Sequence, residues 1–272
     1  MMFKKWKKDY ITKGGWKKPK NLLIKALCKY DIGNSKVIWG IYNILKAKGL
    51  LPKKSLRGDH VFISGAGSGI GRLMAVEFAK QGCNLSLSDV NLDGLNETSK
   101  FQTLDILEAL VLTQTGSDRN VCLIKCDVSD VNQIKDAGRT ARDSFGPVTI
   151  LVNNAGIASG KGILEKSEQM IRKTFEVNTI SHLFTIREFL PDMIKLNKGH
   201  VVTIASIAGT VAIPGMSDYS ASKFGAFAID ECLRLEMKKA GYNIKTTCIC
   251  PYYINTGMFE GVPSSWYSPI LD

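Results

Sequence analysis

The chain has 272 residues, of which 44% are hydrophobic and 22% charged, so it can bury one sizeable core. Its formal net charge of +11 is concentrated at one end, because residues 1–57 hold sixteen Lys and Arg against two acidic residues. No nucleic-acid-binding motif accompanies that charge, so nucleic acid is not expected as a partner.

Residues 1–57 are predicted to be a basic amphipathic leader. Their lysines alternate with Trp6, Trp16 and Trp39, and the apolar residues of 37–45 recur at helical spacing. Basic and aromatic residues beside an apolar helix face are typical of segments that bind an anionic membrane surface. The apolar run is far shorter than the roughly 20 residues that span a bilayer, so the leader is expected to lie on the membrane. A solvated tail and a mitochondrial transit peptide are the alternatives.

The second predicted unit, 58–272, begins with a strand, a glycine turn and a helix. Residues 61–64 form a short β-type run, and Gly65, Gly69 and Gly71 follow before an amphipathic helical stretch. Glycines let the backbone turn tightly and approach a pyrophosphate, which then lies on helix N-terminal amides. The segment predicts a dinucleotide-binding turn, with a merely flexible turn as the alternative.

Asp89 ends the next predicted strand, 84–88, eighteen residues beyond Gly71. A carboxylate in this place can accept hydrogen bonds from the adenosine ribose hydroxyls and would repel a 2′-phosphate. The glycine turn contains no Lys or Arg, although Arg72 follows it directly. We therefore expect NAD as the cofactor, with NADP less favoured.

Strand-like runs alternate with helical runs along the rest of the chain. The predicted strands are 61–64, 84–88, 121–126, 148–152, 201–205 and 244–250. This alternation predicts an α/β fold, a doubly wound, Rossmann-type parallel sheet in a single domain with helices on both faces. The polar stretch 114–120 is expected to be a surface excursion. The seven cysteines and three histidines show no ligand spacing, so neither a metal site nor a disulfide framework is expected.

Ser206, Tyr219 and Lys223 form the candidate catalytic group. Residues four apart share one face of a helix, so the Lys223 ammonium can lie beside the Tyr219 phenol. This cation is expected to lower the pKa of the phenol from its ordinary value of about 10 toward neutrality. Ser206 follows the buried run 201–205, so its hydroxyl can meet the same substrate oxygen. Taken alone, the Tyr and Lys could also be an exposed helical pair.

Together these segments resemble the short-chain dehydrogenase/reductase family. The matching pieces, in the family's order over residues 58–260, are Gly65-x3-Gly69-Ile70-Gly71, Asp127-Val128, Asn153-Asn154-Ala155-Gly156, Asn178, Ser206, Tyr219-x3-Lys223 and Pro251 through Thr256. Phrases such as Phe189-Leu190-Pro191 and Lys245-Thr246-Thr247-Cys248 are similar to its membrane-associated branch, which contains retinol dehydrogenases and lipid-droplet 17β-hydroxysteroid dehydrogenases.

The resemblance implies a role for each matching residue. Tyr219 would be the acid/base, and Lys223 would lower its pKa and hold the nicotinamide ribose. Ser206 would orient the substrate oxygen, and Asn178 would hold a water in the proton relay. The residues implied to bind the cofactor are Gly65, Ser68, Gly69, Ile70, Gly71, Asp89, Asp127, Val128, Asn154, Ala155, Gly156, Tyr219, Lys223, Pro251 and Thr256.

The resemblance further implies an oxidoreductase that transfers a hydride between NAD(H) and a lipophilic alcohol or carbonyl compound, such as a retinoid, a steroid or a long-chain lipid. It implies attachment to the endoplasmic reticulum membrane or a lipid-droplet surface on the cytosolic face, with the cytoplasm as the alternative, and it allows a homodimer.

Sixteen residues follow Thr256, where the family usually adds a substrate-covering helix pair and a seventh strand, so the last strand is expected to be missing. A catalytically weak membrane-surface protein without a complete substrate pocket is the alternative function.

Overall fold

Six strands alternate with helices in residues 55–100, 120–254 and 258, the part of the chain that the computed structural model describes. The strands are β1 (His60–Ser64), β2 (Asn84–Asp89), β3 (Val121–Lys125), β4 (Ile150–Asn153), β5 (Gly199–Ile204) and β6 (Ile244–Ile249). The helices are α1 (Gly69–Lys80), α2 (Val131–Phe145), α3 (Glu168–Phe175), α4 (Ser181–Leu196) and α5 (Ser217–Ala240). Residues 92–100 are also helical, and a π-helical turn, Glu176–Ile180, joins α3 to α4.

All six strands are parallel and lie in the order β3-β2-β1-β4-β5-β6. The chain therefore winds outward from β1 to β3, returns to the centre at β4, and winds outward again to β6. Such a reversal leaves a crevice at the carboxyl ends of the two central strands, where ligands bind in folds of this kind. The predicted doubly wound parallel sheet is confirmed.

The central strands β1, β4 and β5 are buried on both faces of the sheet, which explains why their sequences are largely apolar runs. On one face, Leu151 of β4 packs in a cluster with Phe189 of α4 and Leu233 of α5. On the other face, Ile63 of β1 packs in a cluster that includes Ala75 of α1. Two clusters of this extent hold the strand ends in fixed positions, and those ends carry the site.

Three predictions concern residues that lie outside the described part of the chain. They are the leader apart from residues 55–57, the surface excursion apart from residue 120, and the missing strand beyond Thr256. Among the described helices, none combines the length and the apolar character that crossing a bilayer demands.

Candidate active site

A cleft of about 780 Å³ opens at the carboxyl ends of the central strands. The predicted residues that line it are Gly65, Ser68, Gly69, Ile70, Asp89, Asp127, Val128, Asn154, Ala155, Gly156, Ser206, Tyr219, Lys223 and Pro251. Gly71 and Asn178 do not line the cleft, and Thr256 is outside the described residues. Segments far apart in the sequence thus converge on one cavity.

The glycine turn after β1 is packed so tightly that no side chain fits at Gly65 or Gly71. Gly65 has a φ of +67°, and a Cβ atom on it would lie 2.8 Å from the Ala155 Cα. A Cβ on Gly71 would lie 2.0 Å from the Gly65 carbonyl oxygen and 2.6 Å from the Asn154 Nδ2. Asn154 Nδ2 in turn donates to the carbonyls of Ser64 and Gly65, at 3.0 and 2.9 Å. The turn is therefore locked to the end of β4.

Helix α1 begins directly after this turn, and its N-terminus has no side-chain cap. Ser68, the residue before the helix, has an extended backbone and makes no capping hydrogen bond, and the first turn contains no acidic residue. The first amides of a helix have no partner within the helix, and the helix dipole favours an anion beside them. This end of α1 is suited to a diphosphate.

Ser64, at the end of β1, joins the two central strands. Its hydroxyl donates to the Val152 carbonyl at 3.3 Å and accepts from the Asn154 and Ala155 amides at 3.1 and 3.2 Å. Nothing in its sequence context marks this role, because the partners are about 90 residues away.

The Asp89 carboxylate points back over the glycine turn. It accepts from the Gly67 amide and from the Asn91 amide, each at 2.9 Å. Arg72 also contacts the glycine turn: it donates to the Gly67 carbonyl at 2.5 Å, and it pairs with Glu97 at 2.9 Å. The loop after β2 and the glycine turn thus form one connected unit.

Asp127, one of the residues that the resemblance implies for cofactor binding, is paired with a lysine that no sequence pattern indicated. Lys173 of α3 approaches its carboxylate at 2.8 Å, and Ser129 also donates to it. Partial burial opposes the charged form, but the bonds from Lys173 and Ser129 prevail and lower the pKa of Asp127. The pair closes one side of the cleft, which Lys173 also lines.

Ser206, Tyr219 and Lys223 lie together at the other end of the cleft. Tyr219 and Lys223 are one turn apart on α5 and are 5% and 2% exposed. The Lys223 Nζ is 5.8 Å from the centre of the Tyr219 ring and donates to the Ile204 carbonyl at 2.8 Å. The Ser206 Oγ accepts from the Ala208 amide at 3.1 Å, and its hydrogen bond with the phenol favours the phenolate.

The expectation of a lowered Tyr219 pKa is wrong for this structure. Burial raises the pKa of Tyr219, and the hydrogen bond with Ser206 only partly offsets this rise. Burial also lowers the pKa of Lys223 to about 8. The sequence revealed the neighbouring cation but not how deeply both groups are buried, and desolvation is the larger effect.

Asn178 lies in the π-helical turn, a feature often found at functional sites. Its Oδ1 accepts from the Ile157 amide at 2.8 Å, and its Nδ2 donates to the Ile157 carbonyl at 2.9 Å and to Ser222 at 3.0 Å. A Cβ on Gly156 would lie 3.4 Å from this Oδ1 and 3.5 Å from the Lys223 Nζ. Asn178 therefore holds the backbone of residues 156–157 beside Lys223, and its role in a proton relay stays a prediction.

The residues of the cleft fit a nicotinamide dinucleotide. Gly65 and Gly71 let the turn pack against the end of β4, the uncapped start of α1 is suited to the diphosphate, and the Asp89 carboxylate lines the same cleft. The acid/base candidates lie in the same cleft, on the side of β5.

Comparison with known proteins gives a consistent result. The profile of the short chain dehydrogenase family matches residues 59–265. Epidermal retinol dehydrogenase 2 of Homo sapiens is 40% identical over 85% of this chain and 74% of its own length. Estradiol 17-beta-dehydrogenase 11 of Mus musculus is 37% identical over 87% of this chain and 75% of its own. A short-chain dehydrogenase/reductase of Burkholderia phymatum, solved with NAD, is 29% identical, with a TM-score of 0.69 over 79% of this chain and 73% of that one.

Proposed function

The chain belongs to the short-chain dehydrogenase/reductase family, and we propose that it oxidises retinoid or steroid alcohols with NAD or reduces the corresponding carbonyl compounds with NADH. It is an oxidoreductase that uses a nicotinamide cofactor and acts on CH–OH groups. The proposal for its site rests on one observation: Ser206, Tyr219 and Lys223 share a cleft with the glycine turn.

The proposed mechanism assigns the proton to Tyr219. In oxidation, its phenolate would take the proton of the substrate hydroxyl, and in reduction its phenol would return one. The Ser206 oxygen accepts from the Ala208 amide, and its O–H, which hydrogen-bonds the phenol, would turn to the substrate oxygen and orient it. The charge of Lys223 would stabilise the phenolate through space. A bound nicotinamide supplies the acceptor or donor of the hydride.

A lipophilic substrate is supported by the apolar side chains around the phenol. Tyr219 belongs to a buried cluster with Ala208, Ile213 and Met216, against which Ala158 and Ile207 pack. Burying an apolar substrate beside such a cluster gains free energy in proportion to the area removed from water. The relatives are named for a retinoid and a steroid, and both classes are apolar alcohols.

The choice of NAD over NADP is supported at the loop after β2. The Asp89 carboxylate lines the cleft and would repel a 2′-phosphate. Arg72, the cation that directly follows the glycine turn, is engaged elsewhere: it donates to the Gly67 and Gly94 carbonyls and to Thr98, and it pairs with Glu97. Its guanidinium is thus already committed to holding the turn.

Attachment to the endoplasmic reticulum membrane or a lipid-droplet surface is proposed from the leader, residues 1–57. Its interleaved Lys and Trp residues support this proposal. The alternative, a membrane-surface protein with little catalysis, is not favoured, because the relatives are dehydrogenases and the candidate catalytic group is intact.

A panel of alcohols tests the proposed substrate class. Purified full-length protein is assayed for NAD reduction with all-trans-retinol, estradiol, 1-hexadecanol and ethanol. We expect kcat/KM for retinol or estradiol to exceed that for ethanol by on the order of 100-fold, because the short alcohol forgoes the apolar contacts. Equal rates with ethanol, or NAD reduction with none of the four, would contradict the proposal.

A further inference from the structure

A buried ion pair lies directly beside the candidate acid/base and has no part in the mechanism above. Lys166, in the connection between β4 and α3, contacts the carboxylate of Asp218, the residue before Tyr219. The two side chains are only 1% and 3% exposed. Removing two charges from water is costly, and replacing such a pair by apolar residues is often neutral or stabilising. Its presence at this place therefore calls for a reason other than stability.

The carboxylate of Asp218 also completes the start of α5. Met216, the residue before the helix, provides no side-chain cap. Instead, Asp218 Oδ1 accepts from the Tyr219 amide at 2.8 Å, one of the N–H groups that the helix itself leaves unpaired. A carboxylate is also favoured at this end of the helix dipole. The same oxygen atom thus contacts both Lys166 and the backbone of Tyr219.

Two further hydroxyls converge on the second oxygen of Asp218. The Ser159 hydroxyl, in the β4–α3 connection, lies 3.5 Å from it, and the Thr174 hydroxyl of α3, which donates to the Met170 carbonyl at 2.9 Å, lies 3.4 Å from it. The connection that provides Ser159 and Lys166 begins with residues 154–156, which line the cofactor side of the cleft. Asp218 is therefore the point at which the connection, α3 and the catalytic helix α5 are fastened together.

We propose that Lys166 and Asp218 are positioning residues. They fix the position of Tyr219 relative to the residues of the cleft that face the cofactor. The inference rests on the proposed function, because it assigns the pair a task in that reaction. Neither residue touches the reacting atoms. They act by fixing the start of α5, and hence Tyr219 and Lys223, relative to residues 154–156. A misplacement of about 1 Å can lower a rate on the order of 100-fold, so a loose start of α5 should reduce kcat more than it changes KM.

Three variants separate this role from simple stabilisation. Lys166→Met breaks the pair and leaves the Asp218 carboxylate buried without its cation. Lys166→Met/Asp218→Asn also breaks the pair but leaves no unpaired charge, and the Asn oxygen can still accept from the Tyr219 amide. Lys161→Met is the matched control, because Lys161 is an exposed lysine in the same connection. For each variant we would measure the melting temperature, kcat and KM for the alcohol, and the NADH dissociation constant by fluorescence.

The proposal predicts different patterns for stability and for catalysis. The melting temperature should fall in Lys166→Met and return toward the wild-type value in the double variant. In both variants kcat should stay at least tenfold below wild type, and NADH should bind several-fold more weakly, because the ion pair between residues 166 and 218 is absent from both. Lys161→Met should match wild type in every measurement. If Lys166→Met does not fold, the double variant alone decides.

Two results would overturn the proposal. One is a kcat that recovers together with the melting temperature in the double variant, since the pair would then be purely structural. The other is a double variant that binds NADH with wild-type affinity. A wild-type protein that binds NADH but oxidises no alcohol would contradict the proposed function instead, and the NADH dissociation constant of the double variant would still test the fastening.

Discussion

The Lys223 ammonium lies 5.8 Å from the centre of the Tyr219 ring and donates its hydrogen bond of 2.8 Å to the end of β5, at the Ile204 carbonyl. Lys223 is therefore held in place by the sheet and acts on the phenol through space. It can do so only while it is charged, and burial has lowered its pKa to about 8. The structure thus holds Lys223 where burial disfavours its charged form, and this affects the stability of the folded protein.

Lys223→Met should make the protein more stable while it removes activity. The drop in the pKa of Lys223 from 10.5 to about 8 is equivalent to roughly 3 kcal/mol of unfolding free energy at neutral pH. Loss of the hydrogen bond to the Ile204 carbonyl lowers the free energy of unfolding by about 1 kcal/mol. We expect the free energy of unfolding of the variant at pH 7, measured in urea, to exceed that of wild type by about 2 kcal/mol.

The pH dependence provides the check on this prediction. Because the pKa of Lys223 is lower in the folded protein than in the unfolded chain, the cost of burying its charge is fully present below pH 8 and fades as the pH rises toward 10.5. The gap between variant and wild type should therefore narrow from pH 7 to pH 10. Lys238→Met, at an exposed position of α5, should show no such gap, and a gap that is constant with pH would refute the explanation.

Gly71→Ala should abolish cofactor binding. The added methyl would lie 2.0 Å from the Gly65 carbonyl oxygen, so the turn must open or α1 must shift. Gly162→Ala is the matched control, because its added methyl meets nothing closer than 3.7 Å. Isothermal titration with NADH should show weakening of about 100-fold or more for the first variant and wild-type affinity for the second. Wild-type affinity of Gly71→Ala would mean that the turn does not hold the cofactor.

Asp89→Ser should shift the cofactor preference toward NADP. The substitution removes the charge that would repel a 2′-phosphate, and it also removes the acceptor of the Gly67 amide. We expect the ratio of kcat/KM for NAD to that for NADP to fall by at least about tenfold. Asp93→Ser, at an exposed position in the helical residues 92–100 that follow this loop, should leave the ratio unchanged. A wild-type protein that already prefers NADP would contradict the assignment of Asp89.

Removal of residues 1–54 should release the protein from membranes without unfolding the domain. The cut is placed before Ser55 because the Leu56 carbonyl accepts from the Asp59 amide and from Cys83. In flotation with vesicles of phosphatidylcholine and phosphatidylserine, the full chain should float and the shortened chain should not, and high salt should weaken the binding. A full chain that stays at the bottom of the gradient would remove the basis for the membrane proposal.

The central strands β1, β4 and β5 could be predicted from the sequence because they are short, largely apolar runs that are buried on both faces. The predicted first and last residues of a strand differ from the observed ones where the buried apolar residues are not the same as the residues that pair in the sheet. Apolar side chains predict a strand at 201–205, whereas the strand pairs from Gly199 to Ile204. The glycine turn was predictable for another reason: the positive φ of Gly65 and the close approach of Gly71 to the Gly65 carbonyl are conditions within the turn itself, and glycine meets them.

The rest of the site depends on partners that are distant in the sequence. Lys173 approaches Asp127 from 46 residues away, and Lys166 reaches Asp218 from 52 residues away. Single lysines on exposed-looking helices and loops carry no signal of such pairing. The direction of the Tyr219 pKa shift could not be predicted either, because it depends on burial within the completed fold.

The central claim is that Tyr219 moves the substrate proton in an NAD-dependent alcohol dehydrogenase. Tyr219→Phe deletes one oxygen atom and keeps the ring, and Tyr242→Phe is the matched control at an exposed position after α5. The measurement is kcat/KM for retinol or estradiol with NAD, together with the NADH dissociation constant. The account predicts a loss of about 10²–10⁴-fold in kcat/KM for Tyr219→Phe, with unchanged NADH affinity, and wild-type values for Tyr242→Phe. If Tyr219→Phe keeps more than half of the wild-type kcat/KM, Tyr219 is not the acid/base and the account is wrong.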